Sequence, residues 1–258
     1  MWTTNGASIA ESNARTIARH MLNVALMAVL AWAAAFPAAA RAQSSSPSSP
    51  SMAHMNEGMD GPMDANMMKH MKLTPSRPAT RADSTRALLV ASQLKQAIDK
   101  YRDTAAAVAD GYKMFLPGVK NQRVFHFTNN ARAVRAAFSF DPAKPTSILY
   151  KREADGKLHL VGAMYTAPAA SSLDRLNSRI PLGIAHWHEH VNWCLPKRGD
   201  AARYAEQKDG HPIFGPESPT DTKAACDAVG GQFYPRLFGW MVHVNVFQAS
   251  DLGSIYGG

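Results

Sequence analysis

The chain has 258 residues, of which 46% are hydrophobic and 19% charged, with a formal net charge of +8 at pH 7. This is enough for one ordinary domain with a real core. The basic residues (Arg132, Arg135, Lys151, Arg152, Lys197 and Arg198 among them) are scattered rather than striped with aromatics, which excludes nucleic acid as an expected partner.

Residues 1–42 read as an export signal. Arg15 and Arg19 form a basic start, Met21 to Phe36 an apolar stretch of 16 residues, and Pro37 ends it before Ala40-Arg41-Ala42, a small-residue cleavage pattern. The stretch falls short of the ~20 residues that span a bilayer, so an uncleaved anchor is the weaker alternative. No cysteine stands near the cleavage site to carry a lipid. The expected location is periplasmic or secreted, without stable membrane insertion after cleavage.

Residues 43–81 are expected to be disordered. Gln43 to Pro50 is a Ser/Pro linker. Ser51 to Leu73 then holds seven of the 13 methionines, interrupted by Gly58, Gly61 and Pro62, which argue against a stable helix. Thioether sulfur is a soft ligand suited to Cu(I) and persists where thiols oxidise. Met52, His54, Met55, Met59, Met63, Met67, Met68, His70 and Met71 are therefore candidate tail ligands. The segment resembles the Met/His-rich stretches of periplasmic copper-resistance proteins. The plainer alternative is a sticky linker.

The folded domain is expected over residues 82–258. Asp83 or Ser84 would cap a helix carrying Leu88, Leu89, Ala91, Leu94, Ile98 and Tyr101 at helical spacing. Arg123 to Thr128 alternates like a strand, and a short helix follows from Asn130 to Phe138. Thr146 to Tyr150 and Lys157 to Tyr165 read as a hairpin about Ala154-Asp155-Gly156. A strand from Ile184 to Trp193, a helix over Pro219 to Val229 and a last strand from Gly239 to Phe247 complete the pattern. Without a βαβ rhythm, the fold class is α+β: one domain with a mostly antiparallel sheet and flanking helices.

The strongest functional signal is His186, His188 and His190 at two-residue spacing. On an extended strand all three would share one face, with Glu189 on the other. A row of imidazoles is hard to explain as packing, because each buried ring needs two hydrogen-bond partners. Three such residues span about 13 Å, so one ion would take an adjacent pair and draw a third ligand from another element. His243 is that candidate, since Trp240, Val242, Val244 and Val246 occupy the opposite face of its strand. His126, between Phe125 and Phe127, is either a fourth ligand or a core histidine. His159 and His211 are expected to serve structure or solvent. Asn192 and Asn245, in repeated H-x-N patterns, are candidates to orient ligand imidazoles. The competing reading of the cluster is a histidine-lined groove holding water or an anion.

Cys194 and Cys226 are the two cysteines. After export, a disulfide is the expected pairing; a thiolate ligand at Cys194, four residues after His190, is the alternative.

The paired strand histidines resemble the first cupin motif and His243 the lone histidine of the second, but no Glu stands at the required offset, so a standard cupin is not expected. The blocks ADGY (Ala109 to Tyr112), FHFTN (Phe125 to Asn129) and WHEHVNWC (Trp187 to Cys194) resemble those of uncharacterised secreted bacterial proteins, a likeness that implies no activity. G-x-S-x-G, P-loop, H-E-x-x-H and G-x-G-x-x-G motifs are absent.

The expected function is an exported metal-binding protein, for copper ahead of zinc or iron, with a copper-handling protein as the macromolecular partner that its tail implies. The alternative is a secreted mononuclear metalloenzyme: a copper- or iron-dependent oxidoreductase, or a zinc hydrolase, with Tyr165, Trp187 and Trp193 bordering the site.

Overall fold

Thr80 and Asp83 close a capping box, each side chain accepting from the other's backbone N–H, and start an 18-residue helix, α2 (Arg81–Ile98). Its buried face is Ala87, Val90, Ala91, Leu94 and Ile98, while Leu88 and Leu89 are 52% and 57% exposed. The expected stripe is thus partly rotated: small Ala87 and Ala91 let the helix lie close to the core. Tyr101 follows on a 3-10 turn, and its backbone carbonyl accepts from the Tyr150 hydroxyl (2.7 Å).

The structure, a computed structural model, describes residues 65–257 apart from 118, 120 and 121. The expected export signal and the expected linker and Met-rich segment through Asp64 lie outside the described residues. The remaining helices are α1 (Ala65–Lys69), α3 (Thr104–Ala109), α4 (Asn130–Ala136), α5 (Leu173–Arg179), α6 (Lys223–Ala228) and α7 (Leu252–Tyr256). Seven strands form one antiparallel sheet: β1 (Met71–Leu73), β2 (Lys113–Met114), β3 (Phe125–Thr128), β4 (Ser147–Arg152), β5 (Leu158–Ala167), β6 (His188–Leu195) and β9 (Gln232–Val244). Their order is β1-β6-β9-β5-β4-β3-β2, and β7 (Gln207–Lys208) pairs with β8 (His211–Pro212) in a separate hairpin. The α+β class with a single, antiparallel sheet is as expected.

Alternation divides the sheet into two faces. Phe125, Phe127, Ile148, Tyr150, Ala163, Tyr165, Val242 and Val244 point into the main core with the buried side of α2. The opposite face carries a smaller apolar cluster of Leu149, Val161, Met164 and Met241.

Three sequence expectations shift. The domain begins before Ala82, because Met71–Leu73 pairs with β6 as an edge strand in the register Met71–His190, Lys72–Glu189 and Leu73–His188. The last part of the Met-rich segment is thus sheet, its backbone hydrogen bonds supplied by the histidine strand. That strand starts at His188 rather than Ile184, since the amides of Ile184 and Ala185 both donate to the Pro181 carbonyl and hold a turn there. Finally, the last strand, expected from Gly239, runs back through Pro235 to Gln232 as β9. It ends at Val244, after which the Asn245 amide leaves the ladder for the Ile255 carbonyl.

Candidate metal centre

His188 and His190 share one face of β6, and two neighbouring irregularities set how they are presented. Between the pairs His188–Met241 and His190–Leu237, β9 spends Phe238, Gly239 and Trp240 against Glu189 alone. This bulge needs a left-handed backbone at Phe238 (φ 69°) and a close approach at Gly239, where a Cβ would collide with the Ala167 carbonyl oxygen. It sends Trp240 to the core while Met241 and His243 stay on the face of His188. Glu189 points the other way, as alternation predicts, and is wholly buried. Its carboxylate lies 3.3 Å from both Lys72 Nζ on β1 and Arg236 Nε on β9, a charge clamp across three strands.

His126 enters from β3, three strands away from β9. In a flat sheet the two backbones would be about 14 Å apart, yet His126 Nε2 lies 3.4 Å from His243 Nε2. The sheet must therefore curl. A bulge in the β4–β5 register and Gly162 on β5, whose absent Cβ would overlap the Val244 carbonyl, permit this. Four imidazoles then follow one another across the face: ring centroids are 5.4 Å apart for His126–His243, 5.2 Å for His243–His188 and 5.3 Å for His188–His190.

Burial keeps these rings neutral. Desolvation lowers His126 to about 4. Desolvation, with charge repulsion from His126, lowers His188 to about 4, and desolvation followed by repulsion from His188, His126 and His70 lowers His190 to about 3. His243 is held well below the usual range by the same two causes. Their hydrogen bonds are few. His126 Nδ1 donates to the Val124 carbonyl (3.2 Å), so Nε2 keeps the lone pair that faces His243. Neither nitrogen of His188, nor Nδ1 of His190, has a protein hydrogen-bond partner, although all are shielded from solvent.

Each of three histidines has a methionine directly across the ladder. Met241 opposes His188, Met164 opposes His243, and Met71 opposes His190, and directly opposed side chains share a face with Cβ atoms ~5 Å apart. The histidines floor a cleft of about 1700 Å³ whose apolar wall includes Phe115, Leu116, Val119 and Phe238. Phe115 and Phe238 meet edge to face at 5.8 Å.

Other expected site residues are placed elsewhere. His186 precedes the strand and donates from Nδ1 to the Thr74 carbonyl (3.2 Å); it does not line the cleft. Asn192 adopts a left-handed backbone (φ 57°) and donates to the Lys69 carbonyl, so it orients no imidazole. Tyr165 and Trp187 belong to the main core, and of the three aromatics only Trp193 borders the cleft, its ring tilted against that of His190 with centroids 4.7 Å apart. His159 binds Asp155 in its own turn and His211 is exposed. Cys194 and Cys226 are disulfide-bonded, which removes the thiolate alternative; Gly231 is required there, since a Cβ would press on both sulfurs.

Of the tail candidates, Met52, His54, Met55, Met59 and Met63 lie outside the described residues. Met67, His70 and Met71 line the cleft, and Met68 is 44% exposed and does not. Sequence reasoning missed Met164 and Met241; their place beside the histidines depends on register across strands, which no local pattern reports.

Among the described residues, no group of three or more His, Cys, Asp or Glu side chains is arranged to hold a metal ion as it stands. Nor, among them, is any helix long and apolar enough to cross a membrane. Comparison of the chain with protein-family models, curated proteins and solved structures yields no match to any of them.

Proposed function

We propose that this is an exported metal-binding protein that holds a late transition metal, copper first, on the histidine face of its sheet. The observation that carries the reading is the set of buried, neutral imidazoles with unpartnered nitrogens. Two nitrogens bound tetrahedrally at ~2.0–2.1 Å from one ion are ~3.3–3.4 Å apart, which is the spacing of His126 Nε2 and His243 Nε2. His188, with its ring 5.2 Å from that of His243, supplies the third nitrogen by a side-chain rotation, and His190 stands next in line. That rotation is what the present arrangement lacks. The competing anion-binding groove needs imidazolium cations, and burial opposes them.

Copper is favoured over zinc and iron by the thioethers of Met164 and Met241 beside the ring cluster. Export is supported by the disulfide, which persists in oxidising compartments. In this reading the methionines before Ala65 capture the ion, and a copper-handling protein gives or receives it. A second reading, the metalloenzyme, is favoured by the cleft, which offers an organic molecule apolar walls next to an open metal position.

The test is elemental analysis and metal titration of protein purified from the periplasm without a His tag. Wild type should take up one ion at the centre, and His188→Ala with His243→Ala should lose it while circular dichroism stays unchanged. Equal uptake by a folded double variant would overturn the proposal.

A further inference from the structure

His70 is an unusual product of a Met-rich stretch. It is wholly buried, and its Nε2 lies 2.7 Å from the Ser218 carbonyl oxygen. A carbonyl only accepts, so Nε2 carries the proton and Nδ1 keeps a lone pair. That Nδ1 is shielded from solvent and has no hydrogen-bond partner, and the same holds for Nδ1 of His190. Leaving such buried nitrogens without partners is destabilising, a cost that packing alone does not require.

The backbone pins His70 and its neighbours against β6. The Val191 amide (3.0 Å) and the Trp193 indole (3.3 Å) both donate to the His70 carbonyl. Met71 is set directly across from His190. Met67 lies one turn before His70, whose amide donates to the Met67 carbonyl (3.0 Å), and Met67, His70, Met71 and His190 all line the cleft.

We propose that His70, Met71 and His190, with Met67 at the rim, form a second metal site, specific for a soft monovalent ion such as Cu(I). The inference rests on the metal-binding reading above and extends it. Two imidazole nitrogens with one or two thioethers bring no negative charge to the ion, so the set suits a monovalent soft ion better than a hard divalent one. His190 belongs to both groups: its ring is 5.3 Å from that of His188. An ion arriving along the methionines before Ala65 would enter here and pass to the histidine centre by ligand exchange at His190. The ion stays Cu(I) throughout, and no electron is transferred.

The experiment uses the whole mature chain with 13C-labelled methionine methyl groups, titrated with Ag(I) as a non-oxidising soft probe. The Met71 and Met67 methyl signals, assigned by Met71→Leu and Met67→Leu, should shift together and saturate at one equivalent at this site. His70→Gln keeps an N–H for the Ser218 carbonyl but loses the basic nitrogen, and should weaken the Met71 response at least tenfold. A Met71 signal that stays fixed at excess Ag(I), while upstream methionines shift, overturns the proposal. So does a response equal in wild type and folded His70→Gln. If instead Met71 responds but His188→Ala with His243→Ala leaves uptake at the main centre unchanged, the second site stands and the reading of the main centre falls.

Discussion

His188→Leu exchanges a buried imidazole, both of whose nitrogens lack protein partners, for an apolar side chain of similar size. Relieving orphaned buried groups is worth about 1–3 kcal/mol, so the metal-free variant should be more stable than wild type by that amount at pH 7. The pH dependence supplies a second magnitude. His188 titrates at about 4 in the folded protein against 6.5 when unfolded. Between those values the unfolded chain binds a proton that the folded one refuses. The stability is intact above pH 6.5 and is lost as pH falls toward 4, at about 1.4 kcal/mol per unit. The advantage of the variant should therefore widen by about 2 kcal/mol from pH 7 to pH 5. Urea denaturation of chelator-treated protein, followed by circular dichroism at both pH values, measures it. A variant less stable than wild type by more than ~1 kcal/mol at both pH values, with no widening, would refute the reasoning: the imidazole would then be held by packing and hydrogen bonds rather than kept free.

The Cys194–Cys226 disulfide closes a 32-residue separation; non-reducing mass analysis should show a chain two protons lighter than its reduced form, and reduction should cost about 4 kcal/mol. Free alkylation of both thiols in unreduced native protein would contradict it. Around Glu189 the two sides of the clamp should be unequal: Lys72→Ala with Arg236→Ala strands a buried carboxylate and should cost about 3–5 kcal/mol. Glu189→Gln leaves only half-exposed cations and should cost less in the same denaturation assay. The reverse order would count against the clamp.

Local chemistry made much of this protein legible in sequence. Period-2 alternation marked β3, β4, β5 and the core face of β9, and it put His243 opposite Val242 and Val244 and Glu189 opposite its flanking histidines. Composition marked the disulfide, since a chain with two cysteines allows only one intramolecular pairing. The tertiary structure decided what no period encodes. A turn at Pro181 removed His186 from the strand, and a bulge at Phe238–Gly239 fixed which residues of β9 meet His188 and His190. Curling of the sheet about Gly162 brought His126 within 3.4 Å of His243 across two intervening strands. Register alone set Met71, Met164 and Met241 against three histidines. It also drew Met71–Leu73 out of an apparently unstructured tail, because the edge of β6 offered hydrogen bonds that solvent would otherwise have had to supply.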